Sequence, residues 1–270
     1  MNPVGNMLIS QFGWRTTYLI FACIGALCMI PFTAFVLERR PEDIGALPYT
    51  EGNERLPVIE DRKEIPKRRR LSELAKRPVL WVFLAIVMIV AFETVFIYHF
   101  PAYTLSIGLS TAVGSMMSSA SMAGNLFGKF GLGWLNDRLN AKRTFLLGII
   151  LTMTGIAIIQ ICGRSTMMLT IGSGLYGVCM ALTSVSVPML ILGLFDQSAY
   201  ASVLSLATMI TSAMGGVGTV LIGLTYDASG GYTAAFWLAQ ALCGICALLL
   251  IAAFAIKRIE IHKIGRASNS

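Results

Sequence analysis

Apolar residues gather into seven long stretches along this chain: roughly Tyr18 to Leu37, Val79 to Phe100, Ala112 to Leu135, Thr144 to Cys162, Met167 to Leu194, Ala201 to Leu224 and Thr233 to Ile256. Each reaches the ~20 residues that cross a ~30 Å hydrocarbon layer at a helical rise of ~1.5 Å per residue. The runs are too long for barrel strands, and lipid offers no partner to backbone N–H and C=O groups, so helices are the required state. The pattern predicts an all-α, polytopic membrane helix bundle of about seven transmembrane helices. Met1 to Phe12 reads as the frayed end of an earlier helix and lacks the basic, apolar and small-residue regions of a signal peptide.

The polar segments set the organisation. Residues 1–37 hold the end of an earlier helix plus one span, 38–77 form a linker, 78–258 a six-helix transmembrane bundle, and 259–270 a tail. The other connections, NDRLNAKR, GRSTM, FDQSAY and YDASGGY, are short, which makes neighbouring helices antiparallel.

Charge then decides orientation. Only 13% of residues are charged against 56% hydrophobic, whereas soluble domains carry about 25% charged residues. The net charge is +7. If the linker is cytoplasmic, Arg138, Lys142, Arg143, Lys257, Arg258, Lys263 and Arg266 fall on the same side, leaving only Arg15 and Arg164 outside. That asymmetry is the positive-inside pattern of a cell (inner or plasma) membrane, with the N-terminus of this chain outside and its C-terminus cytoplasmic. The odd number of spans suits a chain cut from an even-numbered parent. The basic run RKEIPKRRR reads as a solvated linker; no aromatic residues interleave its charges, so nucleic acid is not the expected partner.

Cysteines and histidines exclude further classes. Cys243 and Cys246 form a C-x-x-C inside a lipid-length helix with no second pair or histidine nearby, which favours helix packing over a metal or redox site. His99 and His262 are the only histidines, and no cluster has nucleophile or ligand spacing. Neither an enzyme nor a cofactor or metal site is expected.

Three ionisable groups enter the membrane: Glu93, Lys129 and His99. Each is costly in lipid, by about 2.5–3.5 kcal/mol per charge on insertion scales, and so each is a functional candidate. Ser118, Ser121, Asn125 and Lys129 recur at helical spacing and share one face. Such a stripe must look at other helices or at water, and Lys129 could meet an anion there; snorkelling to the cytoplasmic edge is the competing explanation. Glu93 is the proton-carrier candidate, since a carboxyl that exchanges between neutral and charged forms can couple proton to substrate movement, and interhelical hydrogen bonding is the alternative. His99 lines up with Tyr103 beside Pro101, whose ring frees the carbonyl of Ile97 and bends the helix, at a gate or a plain kink. A second small polar stripe, Ser205, Thr208, Ser212, Gly215 and Thr219, either lines a path or packs tightly.

Several motifs in register resemble the second half of a major facilitator superfamily transporter. GWR at Gly13 to Arg15 looks like the outer loop before the family's sixth helix, and RRPEDIG at Arg39 to Gly45 like the start of its central loop. Gly133-Trp134-Leu135-Asn136-Asp137-Arg138-Leu139-Asn140-Ala141-Lys142-Arg143 resembles the signature between helices eight and nine, and Gly223 to Tyr232 with Ala235-Phe236 resembles the junction of helices eleven and twelve. Asn140 and Ala141 depart from the usual glycine and arginine; asparagine tolerates left-handed angles, so the turn is expected to survive.

The resemblance implies the last helix of an N-terminal half followed by a six-helix C-terminal half. It also implies a conformational latch at Gly133, Asp137, Arg138, Lys142 and Arg143, and alternating access around a central site. Within the superfamily the arrangement is most similar to monocarboxylate and oxalate:formate antiporter-like proteins, because Lys129 lies eight positions before Asp137. No second basic residue stands in Ala201 to Leu224, which turns the expectation to a monoanion. The expected function is a secondary active symporter or antiporter of small organic anions such as monocarboxylates. Its binding residues would be Lys129, Asn125, Ser121, His99 and Tyr103, with protons coupled at Glu93, and its partners the lipid bilayer and a missing N-terminal six-helix half. The alternative is a non-transporting membrane protein or inactive transporter fragment.

Overall fold

A computed structural model of the protein describes residues 3–35 and 71–267, and these belong to two compact units, Met1–Ile65 and Pro66–Ser270. In the first unit, α1 (Pro3–Phe35) is broken at Gly13, where φ 75° and ψ 163° leave the helical region. Only glycine takes that conformation without strain, so the segment expected as an earlier helix ends there and the span restarts at Trp14. Thr17 Oγ1 donates to the Gly13 carbonyl at 2.9 Å and helps the restart. Most of the linker, 36–70, lies outside the described residues.

The second unit opens with a single turn, α2 (Leu71–Leu74), fastened to the next helix by Trp81 Nε1, which donates to the Ala75 carbonyl at 2.9 Å. α3 (Pro78–Glu93) tightens into a 3-10 turn over Thr94–Tyr98 and continues as α4 (Phe100–Ser106). Then come α5 (Thr111–Arg138), α6 (Ala141–Ile161), α7 (Thr166–Tyr176), α8 (Val178–Ala181), a π-type turn at Leu182–Ser186, α9 (Val187–Leu194), α10 (Gln197–Ser229) and α11 (Thr233–Ala267). α11 runs unbroken through 259–267, where a tail was expected.

Among the described residues, six stretches are long and apolar enough to cross a bilayer by length and composition: Met7–Phe35, Pro78–Tyr98, Ala141–Ile161, Thr166–Leu194, Gln197–Ser229 and Thr233–Ile259. The seventh expected span, α5, has the length with 28 residues. Its serines, glycines, Asn125 and Lys129 lower its hydropathy instead.

Both interrupted spans have local causes. Pro101 lies in the first turn of α4, and the Ile97 carbonyl that its ring leaves free accepts from Ser118 Oγ at 3.4 Å. Pro188 likewise follows the π-type turn at the start of α9. Freed carbonyls at membrane depth persist only where a neighbouring helix answers them. Tyr176 adds a second link to the span of Pro101: its hydroxyl, at the end of α7, donates to the Glu93 carbonyl where α3 gives way to the 3-10 turn.

Helix packing in lipid relies on close contact rather than on water exclusion. α5 crosses α7 where Gly124 faces Gly174, since a Cβ on Gly124 would stand 1.8 Å from the Gly174 carbonyl oxygen. Aromatic rings fill the Arg164 end of the unit, where Phe96 and Phe236 stack at 5.5 Å.

At the other end Asn140 is not left-handed, as its replacement of glycine suggested. It is extended (φ −116°, ψ 159°) and its Oδ1 accepts from Arg143 N at 3.0 Å, capping α6. An N-cap takes extended backbone, and asparagine adds there the side-chain acceptor that glycine lacks.

Candidate translocation site

α5 carries the expected polar stripe, and its members do different things. Ser121 is fully buried, donating to Met117 O and to Ser173 O across the seam with α7, both at 2.9 Å. It lines no path; the seam consumes it. Asn125, one turn on, is half-buried, and its Oδ1 is buried with no hydrogen-bond partner. Lys129 is exposed. The stripe thus starts inside the seam and emerges at Lys129.

α10 presents the second stripe in the open. Ser205, Thr208, Ser212 and Gly215 are exposed, Thr219 half so, and the hydroxyls of Ser205, Thr208 and Thr219 turn back onto the carbonyls four residues earlier. A Cβ added at Gly215 or Gly216 would meet nothing within 4 Å. Tight packing within the unit does not account for this face.

Glu93 ends α3 at 1% exposure, and neither carboxyl oxygen makes a hydrogen bond of ordinary geometry among the described residues. The Cys243 thiol faces it. The carboxyl lines a cavity of about 10 Å³ with Thr152, Cys179, Cys243 and Cys246 among its walls. That volume is at the lower limit for one water. No residue of α5 or α10 lines it, so Glu93 and Lys129 occupy separate places.

His99 and Tyr103 form a third locus. Both rings pack on Tyr232, with centroids at 6.0 and 5.9 Å, and Tyr232 Oη lies 3.5 Å from His99 Nδ1. Burial, with Tyr226 and Asp227 adding, pushes the Tyr232 phenol up from the ordinary tyrosine value, so it stays a neutral donor. Tyr103 Oη donates to Ile159 O at 3.3 Å. Lys129 lies 18 residues into α5, about 27 Å of helix from its Thr111 end beside α4. The five expected binding residues therefore do not converge.

The loop-motif residues gather at the end of the unit opposite Arg164. Arg138 lies over the Trp134 ring at 4.6 Å and Lys142 over Phe254 at 5.7 Å. Asp137 and Arg143 are exposed, and Gly133 is half-exposed with room for a Cβ. Lys257 Nζ donates to Gly193 O at 2.5 Å, tying α11 to the end of α9.

Membrane-length helices, two of them interrupted, and an ionisable group held inside the bundle are the features of a polytopic helical membrane protein. The sequence model of the Major Facilitator Superfamily matches residues 1–128 and 101–268, and the chain belongs to that family. No curated protein matches it. Among solved structures, it is similar to a variant of the E. coli fucose:proton symporter, with 20% identity, TM-score 0.51, and coverage of 70% of this chain and 44% of that one. It is also similar to the fucose transporter FucP in its outward conformation, with 16% identity, TM-score 0.57, and coverage of 96% and 58%. The likeness is one of fold, and the chain matches only about half the length of those proteins, 44% and 58%.

Proposed function

We propose that this chain is the C-terminal part of a secondary transporter that moves small organic monoanions, such as monocarboxylates, by alternating access. The observation that carries the reading is Lys129, a cation exposed where the polar stripe emerges on a helix of membrane length. A single cation balances a single carboxylate, and the open Ser205–Thr219 face of α10 supplies further polar lining. Ser121 supports α5 from the seam, while the His99, Tyr103 and Tyr232 cluster closes the opposite end.

Glu93 carries the coupled proton in this reading. It is an interior carboxyl faced by the Cys243 thiol, with no hydrogen bond of ordinary geometry at either oxygen among the described residues, and the similar solved structures are of a protein whose name pairs fucose with a proton. The basic Arg138–Arg143 turn faces the cytoplasm, and the first unit is the last helix of the N-terminal half, which the working transporter also needs.

The test is carboxylate uptake by the parent transporter in proteoliposomes. Lys129→Ala should lower uptake efficiency at least about tenfold, the worth of one charge-assisted hydrogen bond, with Lys129→Arg recovering part of it. Unchanged affinity in Lys129→Ala removes the anion assignment. Glu93→Gln should still bind and exchange substrate while losing its response to an imposed pH gradient; a retained response takes the proton from Glu93.

A further inference from the structure

A cavity of about 670 Å³ at the Arg164 end of the second unit shares only Tyr103 with that reading. It lies where the last turn of α4, the end of α6 and the first two turns of α11 diverge, and no residue of α5 or α10 lines it. Its size is within the ~300–1,000 Å³ of ligand sites. The groups that give it chemistry are Tyr103, Ser106, Gln160, Arg164, Trp237 and Gln240.

The hydrogen-bonding capacity left over in this cavity is donor-rich. Gln240 Nε2 is already committed to Met153 O at 2.9 Å, and the Tyr103 hydroxyl to Ile159 O. Gln160 Nε2, by contrast, is buried without a partner. Arg164 is exposed in the turn between α6 and α7, and no acidic side chain among the described residues pairs with it. A guanidinium and an orphan amide N–H together call for anionic oxygens.

Depth identifies the ligand more closely. Arg164 lies just beyond the apolar span that ends at Ile161, Gln160 just within it, and Trp237 one turn into α11. A basic residue and a tryptophan both at the edge of spans are the arrangement of a membrane–water interface. Below the rim the walls pass into bare apolar surface: Ile161 is 83% exposed and Trp237 66%. A soluble anion has no use for that surface, whereas an acyl chain does.

We infer that this cavity holds the headgroup of an anionic glycerophospholipid, with phosphodiester oxygens on Arg164 and Gln160 Nε2 and acyl chains along the outer faces of α6 and α11. The 270-residue chain in phosphatidylcholine nanodiscs tests it, using phosphatidylglycerol brominated in its acyl chains. Tryptophan emission should fall further than with brominated phosphatidylcholine at equal mole fraction. The excess should vanish in Trp237→Phe and persist in Lys129→Ala, which separates this site from the transport reading. Equal quenching by the two lipids, or an excess that survives Trp237→Phe, overturns the proposal without relying on any charge variant. Arg164→Gln should weaken phosphatidylglycerol retention about tenfold in native mass spectrometry, and Arg164→Lys less; unchanged retention in Arg164→Gln counts against it. Displacement by glycerol 3-phosphate as effective as by short-chain phosphatidylglycerol would make this a soluble-anion site and sink the lipid assignment.

Discussion

The seam between α5 and α7 and the open face of α10 carry the same kind of residues and have opposite fates. Each is a run of serine, threonine and glycine at helical spacing. In the seam, a Cβ on Gly177 would stand 2.1 Å from the Ser121 carbonyl oxygen, so the two backbones touch. On α10, Gly215 and Gly216 have open space around them, and Ser205, Thr208 and Ser212 are exposed. The difference lies in the partner. Gly124 and Gly128 of α5 meet Gly174, Val178 and Ala181, small or slender enough to admit a backbone. Only one glycine of α10, Gly218, is filled, by Val95 and Phe92 on the first span of the unit. Small residues on one helix permit contact; small residues on both compel it.

Substitutions can break that contrast, starting with the largest effect. Gly177→Val should abolish the folded bundle, because the obstacle is a backbone carbonyl and the usual overpacking cost of about 1–3 kcal/mol becomes a lower bound; size-exclusion of the detergent-solubilised chain should show aggregate in place of a single peak. Ser121→Ala should be milder, near 1 kcal/mol, since it removes one buried hydrogen bond and leaves the close approach intact. Thermal unfolding in detergent measures it. Smallest of all, Ser205→Ala with Thr208→Val should shift that midpoint by no more than about 0.5 kcal/mol equivalent, the range of exposed substitutions. If the α10 pair costs as much as Ser121→Ala, that face is packed after all and the contrast fails.

Much of the architecture was legible in the sequence because it is dictated by solvent: an apolar run of span length has to be a helix, whatever its neighbours. Pro101 announced its bend for the same local reason. What the sequence left open depended on partners far along the chain. The α5 stripe was visible, but the loss of Ser121 to the seam needed Ser173, 52 residues away. Cys243 and Cys246 read correctly as residues of a packed helix, yet nothing in their spacing placed them with Cys179 around Glu93. Arg164 was read only for orientation, and Gln160 and Gln240, in different segments, drew no notice; only the fold gathers the three. Asn140 was misjudged because the same residue type suits both a left-handed turn and a helix cap, and the neighbouring Arg143 amide decided between them.

The hydroxyl of Tyr176 reaching the Glu93 carbonyl has one more implication. It fastens the joint in one interrupted span to the joint in another. Parting the two joints would give up that bridge, worth about 0.5–1.5 kcal/mol. Any rocking of this domain therefore has to flex both spans in step, like two elbows on a common pin.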